Sequence, residues 1–192
     1  MQNYRQFIHQ EYGVRQLLVE HTHFNDPEKR EHIRRLLIRA AQQKTIPIVN
    51  YNDPVSDEEN RKMELAIRRS HGDQVVECVD NDETAAVIAN LVHAKKLVLM
   101  TSTEGIYRDP ADPKTLVEQV TAKSMEELEE KVRQLQESCV GASRAGANGA
   151  KAKLEYALKS ARQGTMVIIG HARHRLSDLV EGRVACTRIG LE

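Results

Sequence analysis

Short β-branched or leucine-rich runs alternate along the chain with stretches whose apolar residues recur every three or four positions. That alternation is the signature of a parallel sheet wrapped by helices. It predicts strands at Gln16–Glu20, Ile46–Asn50, Val75–Cys78, Leu97–Met100, Met166–Ile169 and Val184–Arg188, with helices between them. The helix Glu28–Gln43 has Asp26 placed as its N-cap and Pro27 in its first turn, then Ile33, Leu36, Leu37, Ala40 and Ala41 on one face. A second helix is expected after Ser124, where Glu127 completes an S-x-x-E capping box and Leu128, Val132 and Leu135 supply the apolar stripe. The segment "ENRKMELAIRRS" reads as a charged helix with Met63, Ala66 and Ile67 on one side. No repeat or low-complexity tract breaks the pattern, so residues 1–192 are expected to form a single domain.

In an open α/β sheet, ligands lie beyond the carboxyl ends of the strands, and the residues that follow each strand carry the candidate chemistry. "IPIVNYND" ends a strand in Asn50, Asn52 and Asp53; the plain alternative is that these side chains cap their own turn. The next strand runs into Asp80, Asn81 and Asp82, of which Asp82 also suits a helix N-cap. Two successive strand ends carrying Asn and Asp favour a shared polar pocket over either alone. The third, "KLVLMTSTEGIYRDP", ends in Thr101 and Ser102, with Gly105 allowing a tight turn; a decorated loop is the alternative. "GASRAGANGAKAK" leads small residues into a helix bearing Lys151 and Lys153, an arrangement that offers unpaired N–H groups and positive charge to phosphate. It lacks the spacing of a Walker-type loop, and its glycines equally suit close packing.

Composition narrows the classes. The 192 residues are 40% hydrophobic and 29% charged, with 28 basic and 28 acidic residues, so no global field points to nucleic acid or an anionic membrane. Three cysteines, Cys78, Cys139 and Cys186, form no C-x-x-C pair and suit reduced thiols in a cytoplasmic protein. No apolar run approaches membrane-spanning length. His21 and His23 are spaced to point the same way from a strand, and His171 and His174 to sit one helical turn apart, but no third or fourth ligand groups with them, so no metal site is expected.

The ordered set, from "YGVRQLLVEHTHFNDPEKREHIRRLLIRAAQQKTIPIVNYND" through "DNDETAAVIANLVHAKKLVLMTSTEGIYRDP" and "GANGAKAKLEYA" to "MVIIGHARHRLSDLVEGRVACTRIG", resembles the amino acid kinase family and is most similar to its glutamate 5-kinase branch. The resemblance implies a three-layer α/β/α fold with a mainly parallel sheet. It implies transfer of the γ-phosphoryl of ATP, with Mg²⁺, to the side-chain carboxylate of L-glutamate, a step of proline biosynthesis. By position, Asn52, Asp53 and Asn81 would hold glutamate and Asp82 would organise the catalytic lysines. Thr101 and Ser102 would border the nucleotide. Gly146, Ala147, Asn148, Gly149, Ala150, Lys151, Ala152 and Lys153 would form the phosphate loop, with Lys153 facing phosphate. Nothing before Tyr4 matches the family's V-K-L-G-[ST]-S strand or its S-S-G-A segment, Ser102 stands where the family has Asp, and "GANGAKAK" replaces G-T-G-G-M-x-T-K. The expected form is therefore an N-terminally truncated domain, partnered by its own copies or by a complementing N-terminal chain. The alternative is a non-catalytic amino-acid or nucleotide-binding subunit, or half of a split kinase.

Overall fold

The computed structural model describes residues 2–52, 58–70, 75–77, 81–109, 111–138 and 149–192. The chain divides into two compact units, Met1–Thr84 and Ala85–Glu192.

In the first unit the order is α1 (Gln2–Phe7), β1 (Gly13–Val19), α2 (His21–Asn25), α3 (Pro27–Gln42), β2 (Thr45–Tyr51), α4 (Glu58–Ser70) and the start of α5 (Asn81–Leu91). Asp26 caps α3 as its sequence requires: Oδ1 accepts the N–H groups of Glu28 at 2.9 Å and Lys29 at 3.1 Å. Those bonds, the Lys29 one foremost, hold the Asp26 carboxyl below its usual range. α3 buries Ile33 and Leu37, and Phe24 of α2 and Val19 of β1 are fully buried. The helical crossover lets β2 lie parallel to β1, in register from Gly13 opposite Thr45 to Val19 opposite Tyr51.

The second unit continues with β3 (Lys96–Thr101), β4 (Gln119–Ala122), α6 (Met125–Ser138), α7 (Ala150–Ala161), β5 (Met166–His171), α8 (Leu176–Glu181) and β6 (Cys186–Leu191). Its sheet has the order β3-β5-β6-β4, antiparallel at β5–β6 and parallel at the other two pairings. β5 sits inside the sheet, and its Val167, Ile168 and Ile169 are wholly buried, as expected for a strand covered on both faces. The stripe Leu128, Val132 and Leu135 of α6 joins Leu154 and Ala157 of α7 in one core with Ile169 and Ile189. Each such large apolar side chain contributes about 1.5–3 kcal/mol on full burial. Ser124 Oγ accepts the Glu127 N–H at 3.2 Å, and Glu127 reaches back to the Lys123 N–H at 3.3 Å, one residue before the position an ideal capping box uses.

The α/β class with parallel pairing is as expected, and five of the six strands appear, each shifted by a few residues at most. The exception is instructive. Val75–Glu77 forms no strand, because the Asn25 side chain satisfies its backbone instead: Nδ2 donates to the Val76 carbonyl at 2.8 Å and Oδ1 accepts the Val76 N–H at 2.9 Å. Cys78 lies outside the described residues. β4, four residues long and mixed in character, was not expected. α4 forms, but it buries Leu65 while Met63 and Ile67 stand exposed. Among the described residues no helix is long and apolar enough to cross a membrane.

Candidate functional site

The parallel register of the first unit dictates what meets at its strand ends. Since Val19 lies opposite Tyr51, the next residues, Glu20 and Asn52, emerge side by side beyond the carboxyl ends of β1 and β2. The Asn52 N–H donates to the Val19 carbonyl at 2.9 Å, extending the ladder by one bond, and Asn52 Nδ2 donates to Glu20 Oε1 at 2.8 Å. Glu20 is fixed in turn: its N–H donates to His23 Nδ1 at 3.0 Å, and its carbonyl accepts the His23 N–H at 3.0 Å. His21, 7% exposed, places Nδ1 3.4 Å from the Tyr51 hydroxyl.

Asn52 is thus a locked side chain rather than a cap of its own turn. Asn81 and Asp82 open α5, the first exposed and the second half-buried. Asp53 lies outside the described residues. A cleft of about 640 Å³ runs beside β1 and α3, lined by Leu17, Leu18, Ile33 and Leu36 and by the polar side chains of His23, Glu28, Lys29 and His32.

His21 and His23 belong to α2, not to a strand. Two positions apart on a helix, they do not share a face, and each ring already has a protein contact. Among the described residues no group of three or more His, Cys, Asp or Glu side chains is placed to hold a metal ion.

In the second unit the adjacent parallel strands β3 and β5 also end together. The Ala172 N–H donates to the Thr101 carbonyl at 2.8 Å, tying the two strand-end loops. The Thr101 hydroxyl is consumed by its own turn, donating to the Thr103 carbonyl at 2.8 Å and accepting the Thr103 N–H at 3.1 Å, whereas Ser102 is exposed. Glu104 anchors the other loop through Arg173 and through His174, whose Nε2 lies 2.6 Å from Glu104 Oε2. His171 and His174 are not one helical turn apart: His171 closes β5, His174 lies in the turn after it, and the rings meet edge-on at 6.3 Å.

Gly149 stands at the N-cap of α7, and its carbonyl accepts the N–H groups of Ala152 at 3.1 Å and Lys153 at 3.2 Å. Ala150 begins the helix, Lys151 is exposed and Lys153 is half-buried. The first-turn N–H groups of a helix attract anions, and a lysine in that turn adds full charge. Gly146, Ala147 and Asn148 lie outside the described residues.

Sequence reasoning missed Glu20 and Glu104. Each directly follows or nearly follows a strand, so the strand-end rule could have found both. A lone Glu carries no motif, so neither stands out in the sequence by itself.

The family model described as "Amino acid kinase family" matches residues 3–171. Among curated proteins, the glutamate 5-kinase of Geobacillus thermodenitrificans is 30% identical over 189 residues, covering 97% of this chain and 45% of that protein. The glutamate 5-kinase of Chromobacterium violaceum is 28% identical over 183 residues, covering 93% and 44%. This chain therefore spans less than half the length of the curated relatives it matches. Among solved structures, a carbamate kinase from Giardia lamblia bound to AMP-PNP aligns with a TM-score of 0.46 at 18% identity, over 59% of this chain and 32% of that one. A UMP kinase from Ureaplasma parvum aligns with a TM-score of 0.41 at 9% identity, over 94% and 100%.

Proposed function

The chain belongs to the amino acid kinase family, and from that premise we propose that it takes part in ATP-dependent phosphorylation of the side-chain carboxylate of L-glutamate. The observation that carries this reading is the match to glutamate 5-kinases over 97% of the chain.

The chemistry agrees with the residues. A carboxylate acceptor is already ionised at neutral pH, so no general base is required. Phosphoryl transfer then asks the protein to align the two substrates and to neutralise charge on the transferring oxygens. In this assignment Asn52, Asp53 and Asn81 hold the amino acid and Asp82 organises the lysines. Thr101, Ser102 and the 146–153 segment border ATP, with Lys153 as the residue that faces phosphate. Mg²⁺ would arrive on the nucleotide, since it retains much of its water and needs few protein ligands. A single family match across 3–171 supports reading the chain as one domain of this kind, and a cytoplasmic setting follows from the same reading.

A second reading makes the chain a non-catalytic amino-acid or nucleotide-binding subunit, or one part of a kinase site completed by another polypeptide or a second copy. Trapping acyl phosphate as the hydroxamate, with MgATP and a panel of L-glutamate, L-aspartate and carbamate, separates the two. The first reading predicts product with glutamate above the other acceptors. Folded protein that binds glutamate or ATP but yields no product with any acceptor would establish the second.

A further inference from the structure

We propose that Glu20 positions Asn52 and supplies the negative charge by which the acceptor site selects a ligand with a free α-ammonium group. The inference rests on the acceptor reading given above, and no residue of that assignment includes Glu20.

The argument starts from what an asparagine amide presents. One end donates and the other accepts, and a half-turn of the side chain exchanges them, so an isolated Asn does not say which ligand group it receives. Glu20 removes that ambiguity. An ionised carboxylate only accepts, so the atom 2.8 Å from Glu20 Oε1 must be Nδ2, and the Asn52 carbonyl oxygen is turned to the other side.

The backbone leaves neither partner free to drift. Asn52 is tied to Val19 and Glu20 to His23, so the pair is held by the register of two parallel strands and by the start of α2. Glu20 is half-buried, its side chain shares a reciprocal capping box with His23 at the start of α2, and among the described residues no Lys or Arg forms an ion pair with it. The strand ends therefore present a carboxylate and a fixed amide oxygen together. Both are acceptors, and an ammonium group carries three donors and a positive charge that match them.

The test is calorimetric and uses the chain as it stands. L-Glutamate is compared with glutarate, which has the same two carboxylates and lacks the amino group. The wild-type chain is expected to prefer glutamate by roughly 10- to 100-fold, the range of a charge-assisted hydrogen bond. Glu20→Gln keeps an oxygen that can accept from Asn52 but loses the charge. It is expected to weaken glutamate binding by about the same factor while glutarate binding holds or improves. Glu20→Ala should lose the preference as well, and Glu20→Asp should recover part of it. The preference is a ratio measured within one protein, so it does not depend on the fraction folded. An unchanged preference in Glu20→Gln, or a wild-type chain that binds glutamate and glutarate equally, overturns the role of Glu20 and leaves the acceptor reading standing. A wild-type chain that binds neither overturns the acceptor reading and this inference with it.

Discussion

Thr187→Val is expected to destabilise the protein by roughly 2–6 kcal/mol, although the two side chains have nearly the same shape. Thr187 is fully buried in β6, and its hydroxyl bridges two backbone segments: Oγ1 accepts the Ile106 N–H at 2.8 Å and donates to the Val117 carbonyl at 2.7 Å. Valine fills the space and leaves both backbone groups without that partner, each at about 1–3 kcal/mol. Gly105 belongs to the same device. A Cβ there would come within 2.4 Å of Thr187 Oγ1 and 2.9 Å of its backbone nitrogen, so only glycine lets the loop after β3 approach β6 this closely. Urea unfolding measures the effect. Thr187→Ser, which keeps the hydroxyl, should recover most of the loss, and a Val variant within about 0.5 kcal/mol of wild type would show that the bridge contributes little.

The second large effect is on turnover. On the proposed glutamate-phosphorylating reading, Lys153→Ala is expected to lower kcat by on the order of 10²–10³, the range typical of a positive group that meets developing charge in a site closed to water. Lys153 is half-buried in the first turn of α7, where its charge adds to the helix N-terminus, while Lys151 two residues earlier is exposed. Lys151→Ala should therefore change kcat by only a few-fold. Hydroxamate formation from glutamate, compared at matched folded concentration, checks both variants. Equal losses in the two would mean that general surface charge is being read rather than a phosphate contact.

How much of this was legible in the sequence depended on whether the signal was local. Asp26, Pro27 and the apolar face behind them fixed α3 because cap, first turn and stripe lie within a dozen residues and agree. β5 was legible because a buried strand needs nothing beyond its own run of Val and Ile. Val75–Glu77 was misread because its apolar character is local while its hydrogen bonds come from Asn25, about fifty residues earlier. The α2 histidines were misread for a related reason: Glu20 and His23 begin a short helix that cuts the expected strand off at Val19. At the candidate site, Asn52 was legible as a strand end. Its orientation was not, since that follows from the register of β1 on β2, which places Glu20 beside it.

The central claim is that amino acid and nucleotide are received at two named sets of strand ends and at the start of α7. Amide hydrogen exchange of the whole chain, with L-glutamate and with Mg·AMP-PNP added separately, tests it most directly. The account predicts that glutamate slows exchange at residues 20–25, 50–52 and 81–84, and that the nucleotide slows it at 101–106 and 149–154. Protection by glutamate confined to other segments, or protection by neither ligand in a folded chain, would contradict it.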